Sequence, residues 1–528
     1  MEKLGELQSL FMRSRIGRRQ FIEGAVALGL SSIAATGFAD RALASTPKKG
    51  GLFRWATPEG DTTDSLDPVT FVTIYQFIVD WQIRDNLTEV DPEGKLVPAL
   101  AESRETTDGQ NWAFHLRRGV EFHSGKSLTA DDVVYSINLH RGENSKSSAK
   151  PVVQPIVDIK ADDKQTVLVR LAQRNADFPF LMSDYHLPIV PAGASSADMT
   201  SIGDGTAGYK LKELRPGISA RTIRNPNYWR DDRAHFDEIE TLVITDVAAR
   251  TTALTTGEID AFLRPEIRTL NRLSAVAGIR IIESQGNAHD TFPMDMRAKP
   301  FSDNNVRMAL KLAIDREALL KKVLGGHGYL GNDHPIGHAN RYFNPDIAQR
   351  QQDPDKARWY LKQAGLDSLS VPLFIATVAF DGAVDAATLF KEDAKKSGID
   401  IKMVVEPAQA YWDNDWLKKP FVGGNWNGRP TEDWMFTTVY AEGAPWNESH
   451  WSNKQFNDLL LAARAELDEA KRRQMYYEMQ ILVRDQGATI IPLFNNFMAA
   501  VSSKVQTAKV AANWEFDGYK APERWWFA

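Results

Sequence analysis

The sequence predicts an α/β protein with more than one domain, built of mixed sheets flanked by helices. Short apolar runs rich in β-branched residues alternate with helical segments along the whole chain, which is typical of α/β domains. The chain has 528 residues, whereas a single hydrophobic core rarely extends beyond about 250–300 residues. We therefore expect two or three domains.

Capping residues predict the positions of the helices. Thr129-Ala-Asp-Asp132 is a capping box at the start of one helix. Ser302 is expected to open a second helix, and Asp315 to open a third that Gly325-Gly326 ends.

Two further helical segments lie in the second half of the chain. Asp353-Pro354 begins a helix that Gly365 ends. A long amphipathic segment covers residues 455–484, with Leu459, Leu460, Ala463, Leu467, Met479 and Leu482 as its apolar stripe. Strand-like runs separate the helices, at Val167–Leu171, Glu240–Thr245, Ile279–Glu283 and Leu373–Ala376.

Composition excludes several classes of protein. Hydrophobic residues make up 43% and charged residues 25% of the chain, which are ordinary globular values. Without residues 1–44, which hold six basic and four acidic residues, the net charge is about −8. This argues against nucleic acid as a partner, since such binding needs a basic face. Cysteine is absent, which excludes disulfides, thiolate metal sites, cysteine nucleophiles and a lipid-modified N-terminal cysteine.

Residues 1–44 have the pattern of an export signal. Arg18-Arg19 precedes a weakly apolar stretch, Ala25 to Ala39, and Ala42-Leu43-Ala44 is a small-x-small cleavage pattern. The paired arginines indicate a twin-arginine signal, which directs proteins that fold before export. The apolar stretch is too short to cross a membrane, which takes about twenty residues. We expect a mature chain that starts near Ser45 and is soluble in the periplasm, without a lipid anchor.

No catalytic motif stands out, and one histidine cluster is a candidate for metal binding. The chain lacks a Gly-x-Ser-x-Gly elbow, a His-Glu-x-x-His pair and a phosphate-binding loop. His327, His334 and His338 share one segment and could bind zinc, copper or nickel. Pro335 and Gly337 prevent their presentation on a helix, so a solvated loop is the preferred interpretation.

Tryptophans are concentrated in residues 411–451, which hold six of the fourteen in the chain: Trp412, Trp416, Trp426, Trp434, Trp446 and Trp451. Glycines and prolines interrupt this segment, so much of it is expected to be loop. Aromatic loops either line a ligand cleft or pack a core beneath the loops. We expect a cleft here, although both arrangements can hold at once.

Several long motifs, in order along nearly the whole chain, carry a resemblance to a known family. They are Ser65-Leu-Asp-Pro68, Leu96-Val-Pro-Ala-Leu-Ala101, Trp112-Ala-Phe-His-Leu-Arg117, Gly119-Val-Glu-Phe-His-Ser-Gly125, Leu128 to Ser136, Gly205-Thr-Ala-Gly-Tyr209, Arg224-Asn-Pro-Asn-Tyr-Trp229, Gly257-Glu-Ile-Asp260, Pro300-Phe-Ser-Asp303 and Ala313-Ile-Asp-Arg316. With these motifs the chain resembles the extracytoplasmic solute-binding proteins of peptide-type ABC transporters. That family includes oligopeptide-, dipeptide- and nickel-binding proteins.

The resemblance implies a bilobal periplasmic-binding-protein (Venus-flytrap) fold with an extra third domain. By analogy, domain I takes residues 45–88, 206–300 and 496–528, domain II takes 89–205, and domain III takes 301–495. The lobes would hinge and close on a solute and deliver it to an inner-membrane ABC permease. The resemblance implies no catalytic activity and no cofactor, and we expect a monomer.

The binding motif departs from the family pattern. Peptide-binding members carry a Trp-x-x-Asp pattern whose Asp pairs with the α-ammonium group of the ligand. The matching stretch here is Trp426-Asn427-Gly428-Arg429. A guanidinium favours a planar anion and repels an ammonium group, so we expect a peptide-like or opine-like solute or an acidic conjugate, with an anionic group on Arg429. The candidate ligand-binding residues are Arg429, Trp426, Trp412, Tyr411, Asn427, Trp446 and Tyr75.

Four alternatives stay open on the sequence alone. Arg429 could pair with Glu432 or Asp433 as a structural ion pair outside the cleft, or one of these two acids could replace the missing aspartate. The protein could be a metal-chelate or haem carrier of the same family, with His327, His334 and His338 as ligands. A secreted hydrolase is the most remote alternative, with Asp413 and Asp415, or Glu432 and Asp433, as its paired acids.

Overall fold

The computed structural model describes residues 47–528, so the predicted leader lies outside the described residues. Helices cover Ile74–Ile83, Ala130–Leu139, Lys150–Val153, Phe178–Leu181, Ser196–Ser201, Val247–Thr256, Leu270–Ser274, Asn304–Ala313, Arg316–Lys322, Pro354–Gln363, Ala383–Lys395, Tyr411–Asn414, Glu432–Val439, Lys454–Ala465, Glu469–Gln486 and Ala521–Arg524. In this part of the chain, none of the helices has the length and apolar character that a membrane span needs.

The strands, β1 to β20 in chain order, are Leu52–Thr57, Thr88–Val90, Leu96–Pro98, Ala101–Glu105, Asn111–Leu116, Ile156–Ala161, Thr166–Leu171, Tyr209–Arg215, Ser219–Arg224, Glu238–Val243, Ala261–Leu263, Ile279–Pro293, Gly328–Leu330, Leu369–Ile375, Ile399–Val405, Gly424–Trp426, Thr489–Ile490, Leu493–Ser502, Val505–Gln506 and Trp526–Phe527. A ten-stranded mixed sheet has the order β16-β12-β18-β11-β1-β10-β9-β8, with β13 on β18 and β17 on β12. A four-stranded sheet, β4-β5-β7-β6, and three two-stranded sheets complete the architecture.

The longest strand, β12, and its antiparallel partner β18 run through two separate hydrophobic cores. Near one end, Ile282 and Val501 belong to a core formed by residues 53–81, 209–282 and 499–527. Near the other end, Phe292 and Leu493 belong to a core formed by residues 292–493. The register between the strands shifts between Ser284 and Ala288. The pair therefore connects the two halves of the molecule.

We call these halves lobe A and lobe B. Lobe A contains the core just described around Ile282, together with a neighbouring core of residues 87–189 over the four-stranded sheet. Lobe B contains the core around Phe292 and a second, more aromatic core of residues 329–494.

The helix starts follow the predicted caps, with one correction. Thr129 caps the helix Ala130–Leu139, and its amide and hydroxyl groups donate to the Asp132 carboxylate at 2.9 and 3.0 Å. Asp315 caps the helix Arg316–Lys322, as predicted. Asp303, and not Ser302, caps the helix Asn304–Ala313, because its carboxylate accepts the Asn305 amide at 2.8 Å.

The remaining helices show one confirmed and one wrong prediction. The helix Pro354–Gln363 begins after Asp353 as predicted. The amphipathic segment is two helices, Lys454–Ala465 and Glu469–Gln486, because Asp468 caps the second one. Leu467 lies in the break and is exposed, so it is not part of the apolar stripe.

The predicted strands exist with shifted ends. β7 and β10 begin one and two residues earlier than expected, and β14 begins at Leu369. The expected Ile279–Glu283 run is the first third of β12. The rest of this strand is largely polar, so an apolar pattern does not predict it.

Asp333 neutralises a buried cluster of arginines in lobe B. Its Oδ1 lies 2.6 Å from Arg316 Nη2, and its Oδ2 lies 2.8 Å from Arg350 Nε. The Ile491 amide also donates to Oδ1 at 3.1 Å. Burial raises the pKa of Asp333, but the charges of Arg316, Arg350 and Lys311 together lower it by more. The pKa therefore lies below its ordinary value. The carboxylate is therefore charged and fully engaged.

Replacing Asp333 with Ala should lower the free energy of unfolding by about 3–5 kcal/mol, because buried Arg316 loses its counter-ion and buried Arg350 keeps only the partly exposed Asp485. Urea denaturation at pH 7 measures this loss. The control is Asp346→Ala, since Asp346 is exposed and its replacement should change the free energy by less than about 0.5 kcal/mol. Equal losses in both variants would contradict the assigned role.

Candidate functional site

Four indole rings form a row along one side of lobe B. The ring centroids of Trp412 and Trp416 lie 5.7 Å apart, those of Trp416 and Trp426 lie 6.3 Å apart, and those of Trp426 and Trp446 lie 5.9 Å apart. The two ends of this tryptophan row, Trp412 and Trp446, are 40% and 48% exposed, whereas Trp426 is 7% exposed. The row therefore offers an aromatic surface to solvent while resting on the core.

Three different segments carry the row. Trp426 lies on β16, which pairs with β12 so that Trp426 opposes His289. Trp416 follows the helix Tyr411–Asn414, and its amide donates to the Tyr411 carbonyl at 3.1 Å. Trp446 lies in a loop that the Asn447 side chain fixes by donating to the carbonyls of Ala441 and Trp451, at 3.2 and 2.8 Å.

The other two tryptophans of this region pack against cores, Trp451 fully buried and Trp434 partly buried. Trp451 is 2% exposed and lies 5.0 Å from the Phe456 ring. Trp434 packs against the core of residues 87–189 in lobe A. The alternative of core packing thus holds for part of this segment, and the cleft lining stays a prediction for the tryptophan row.

Arg429 follows the row on a loop. Its Nη1 donates to the backbone carbonyls of Asn427 and Gly428 at 2.9 and 3.3 Å. The guanidinium carbon lies 5.8 Å from the ring centroids of both Trp426 and Trp434, within reach of a cation–π interaction. Within residues 47–528, no carboxylate comes within 4.0 Å of this guanidinium.

Arg429 faces residues of lobe A. Burial lowers the pKa of Arg429, and the nearby Tyr185 hydroxyl and Asp184 carboxylate raise it in part. Asp184 itself is engaged by His186, whose Nδ1 lies 2.7 Å from Asp184 Oδ1. The guanidinium is therefore a partly desolvated cation at the boundary between the lobes, with no carboxylate of the described chain bonded to it.

The acids near Arg429 in sequence have other partners. Glu432 Oε1 accepts the Tyr342 amide at 2.6 Å, and the Asp433 carboxylate lies 3.0 Å from Arg464 Nε. Both acids are buried. The structural ion pair considered for Arg429 is therefore wrong. Their burial also means that the two acids are not an exposed pair for hydrolysis.

An aromatic cluster of lobe A lies on the side that Arg429 faces. The Tyr185 ring centroid lies 4.0 Å from that of Phe77, 5.5 Å from that of Trp514 and 6.0 Å from that of Tyr519. Trp81 closes the cluster at 6.5 Å from Tyr185. Both lobes thus present aromatic rings, and Arg429 adds a cation from lobe B.

Tyr519 reaches this cluster through a left-handed turn, residues 516–519. Their φ angles are 51°, 60°, 66° and 62°, and three of the four residues are not glycine. Each such residue costs about 1–2 kcal/mol, so other contacts must hold the turn. Asp517 Oδ2 accepts Trp525 Nε1 at 3.0 Å, and the Phe516 ring centroid lies 4.8 Å from that of Trp525.

A charged contact joins the lobes beside the aromatic surfaces. Asp177 of lobe A is fully buried, with its carboxylate 2.8 Å from Arg341 Nη2 and 2.6 Å from Arg472 Nη2 of lobe B. The Arg341 guanidinium also stacks over the Phe180 ring at 4.7 Å. Burial raises the pKa of Asp177, but the two arginines lower it more, so the pKa lies below its ordinary value.

Among the predicted site residues, Trp426, Asn427 and Arg429 lie together, with Trp412 and Trp446 at the ends of the row. The two tyrosines are placed differently. Tyr411 is completely buried, and its hydroxyl donates to the Gly423 carbonyl at 2.7 Å. Tyr75 packs in a separate apolar cluster of lobe A. Their burial argues against direct contact with a solute.

The three histidines do not form a metal site. His327 Nδ1 lies 3.1 Å from Glu283 Oε2, and His338 Nδ1 lies 3.1 Å from Gln285 Oε1. His334 is 2% exposed, so the expectation of a solvated loop is wrong for its middle. In residues 47–528 no group of three histidine, aspartate or glutamate side chains is arranged to hold a metal ion.

Sequence reasoning missed the lobe A residues, above all Tyr185, Trp514 and Tyr519. A weak signal was present, because residues 514–527 are unusually aromatic. Their meeting with Phe77 and Trp81 depends on contacts between distant parts of the chain, which a local pattern does not contain.

Comparison with known proteins gives a consistent set of matches. A model of the family described as bacterial extracellular solute-binding proteins, family 5 Middle, matches residues 95–448. The dipeptide-binding protein of Escherichia coli (strain K12) is 26% identical over 533 residues, covering 92% of this chain and 95% of that protein.

Two solved structures share the fold. The periplasmic binding protein DppA from Helicobacter pylori, in complex with the peptide STSA, has a TM-score of 0.73 at 22% identity, covering 91% of this chain and 98% of its own. The binding protein AgaA of A. tumefaciens R10, in complex with agropinic acid, also has a TM-score of 0.73 at 22% identity, with 90% and 99% coverage. These likenesses confirm the expected periplasmic-binding-protein fold.

The contact between Asp177 and Arg472 should show thermodynamic coupling across the lobes. In a double-mutant cycle with Asp177→Ala and Arg472→Ala, we expect an interaction energy of about 1–3 kcal/mol in the free energy of unfolding, because the two charges are buried and bonded. A control cycle pairs Asp177→Ala with Arg358→Ala, since Arg358 is remote and exposed. Additive effects in the Arg472 cycle would show that the bridge contributes nothing.

Proposed function

Because the chain belongs to family 5 of the bacterial extracellular solute-binding proteins, we propose that it captures a peptide-like or opine-like solute outside the cytoplasm and delivers it to an inner-membrane ABC permease. The solute would lie between lobes A and B and be enclosed by hinge closure. The protein would act as a monomeric carrier without catalytic activity. Free energy for closure would come from contacts that the solute makes with both lobes only in the closed form.

We propose further that the solute carries an anionic group that binds Arg429. The single observation that carries this proposal is a partly buried guanidinium with no carboxylate partner among the described residues. A desolvated guanidinium is most stable against a planar anion in bidentate contact. Two comparisons are consistent with this class of solute, since one structural relative binds a peptide and the other binds agropinic acid.

Trp412, Trp426, Trp446 and Asn427 would line the site next to Arg429. The exposed faces of the tryptophan row suit an apolar or planar part of the solute. Tyr411 and Tyr75 would contribute indirectly, by fixing the backbone behind each wall. The domain boundaries given by analogy, with domain III at residues 301–495, remain part of this proposal. The core contacts of residues 292–493 support that assignment.

Replacing Arg429 with Ala should weaken solute binding by about 2 kcal/mol or more, a loss of about thirtyfold in affinity, because the anion loses a charged partner in a partly dry site. Isothermal titration calorimetry measures this with a panel of agropinic acid, a dipeptide with a free N-terminus and the same dipeptide N-acetylated. The control is Arg268→Ala, since Arg268 has a side chain 77% exposed.

The panel also separates the possible outcomes for Arg429. Arg429→Lys keeps the charge but loses the planar fork, so it should recover only part of the affinity. An acid of the panel that binds equally well to wild type and Arg429→Ala would disprove the anion site. Preference for the dipeptide with a free N-terminus over its acetylated form would also count against it.

Export by the twin-arginine route should depend on Arg18 and Arg19. Substituting both with lysine should retain the protein in the cytoplasm, because that route reads the paired guanidinium groups. Fractionation and immunoblotting of the periplasm measure the effect. The matched control changes Arg13 and Arg15 to lysine, outside the pair, and should leave export intact. Export of the variant with both Arg18→Lys and Arg19→Lys at the wild-type level would exclude this route.

A further inference from the structure

Glu448 lies behind the tryptophan row. Its Oε1 accepts Trp416 Nε1 at 2.6 Å, and its side chain is buried. The carboxyl group lies against Trp416 and against β16, the strand that carries Trp426. A change at Glu448 therefore reaches several rings of the row at once.

The backbone around Glu448 is fixed from two sides. Asn447 holds the loop through the Ala441 and Trp451 carbonyls. On the next residue, the Ser449 carbonyl accepts the Met296 amide at 2.9 Å. The carboxyl group consequently has a defined position, and the rings must adjust to it.

Gly424 leaves room for the Glu448 carboxyl group. A Cβ atom on Gly424 would lie 3.1 Å from Glu448 Oε1 and 3.0 Å from Thr291 Oγ1, closer than most side-chain contacts. Glycine on β16 thus allows the acid to approach the strand that carries Trp426.

Two buried polar atoms next to each other have no hydrogen-bond partner among the described residues. They are Glu448 Oε2 and Trp426 Nε1. A buried donor or acceptor without a partner is unfavourable by about 1–3 kcal/mol. The Trp426 N–H is nevertheless close enough to lower the pKa of Glu448, as the Trp416 N–H does. A hydrogen bond between these two atoms would satisfy both of them.

We propose that Glu448 is a positioning residue for the solute site: its ionised carboxylate holds the indole N–H groups of both Trp416 and Trp426 and thereby fixes the aromatic surface that the row presents. The value of this surface for binding rests on the proposed function. The positioning of the rings is a property of the unliganded protein and can be tested separately.

The protonation state decides how many indoles Glu448 can hold. Burial raises the pKa of Glu448 from 4.5 to about 7, against the two indole N–H groups. Above this pH the carboxylate is charged and would accept from both indoles, since charge-assisted bonds are stronger than neutral ones. Below it, one oxygen carries a proton and is a poorer acceptor. The row should therefore be more ordered above pH 7 than below.

Few other titratable groups face this carboxyl group. Burial raises the pKa of Tyr411 and of Tyr440, and the charge of Glu448 adds to both shifts, so the two tyrosines stay neutral throughout. In the segment before Trp416, Asp415 lies 4.0 Å from Lys419. On β12, burial raises the pKa of Asp290 to about 7 as well, so this residue needs its own control.

The test is ¹⁹F NMR of the full mature protein labelled with 5-fluorotryptophan, without any solute, between pH 5.5 and 8.5. Trp416→Phe and Trp426→Phe each remove one of the fourteen expected signals and so assign them. We expect both signals to shift with a common midpoint at about pH 7 in wild type. In Glu448→Gln, which keeps the size of the side chain, this transition should disappear. In Asp290→Asn it should persist.

The outcomes are distinct. If the transition disappears in Asp290→Asn but persists in Glu448→Gln, it belongs to Asp290, and the proposal is overturned. Signals that do not move with pH in wild type would overturn it as well. If Glu448→Gln fails to fold, the wild-type and Asp290→Asn titrations decide the matter by the same criteria. None of these results bears on Arg429, whose calorimetric test stands independently.

Discussion

The antiparallel pairing of β12 with β18 determines how the rest of the molecule is arranged. The two strands contribute to the core of lobe A at one end and to that of lobe B at the other. Trp426 reaches the site because β16 adds to the edge of β12 next to His289. The register shift between Ser284 and Ala288 falls between the two cores. A local break in an otherwise regular ladder is where such a pair can bend with the smallest loss of hydrogen bonds.

Three arginine environments illustrate what burial requires of a cation. Arg316 and Arg350 share Asp333 inside lobe B, and Arg472 shares Asp177 across the lobes. Arg429 has only backbone carbonyls and aromatic faces around it. Since a desolvated charge without a counter-ion is unfavourable, the first two environments are complete by themselves. The third has no carboxylate of the described chain bonded to it, which is why we proposed an external anion there.

The sequence was a good guide to local structure and to one wall of the site. Capping residues such as Thr129 and Asp315 act within one turn of helix, so the local sequence is enough to predict these helix starts. The helix break at Asp468 was missed because the apolar periodicity continues across it. The wall formed by Tyr185 and Tyr519 was missed because their contact joins segments far apart in the chain. The occupation of Glu432 and Asp433 by other partners is likewise a property of tertiary packing.

The left-handed turn at residues 516–519 also ties the cleft to the order in which the chain is synthesised. Its surroundings close contacts over very long sequence separations: Arg524 reaches Glu89 across 435 residues, and Tyr209 reaches Pro522 across 313. A ribosome that makes the chain from its amino terminus delivers Arg524 and Pro522 hundreds of residues after Glu89 and Tyr209. The aromatic cluster of lobe A therefore stays incomplete until Trp514 and Tyr519 have joined Phe77, Trp81 and Tyr185.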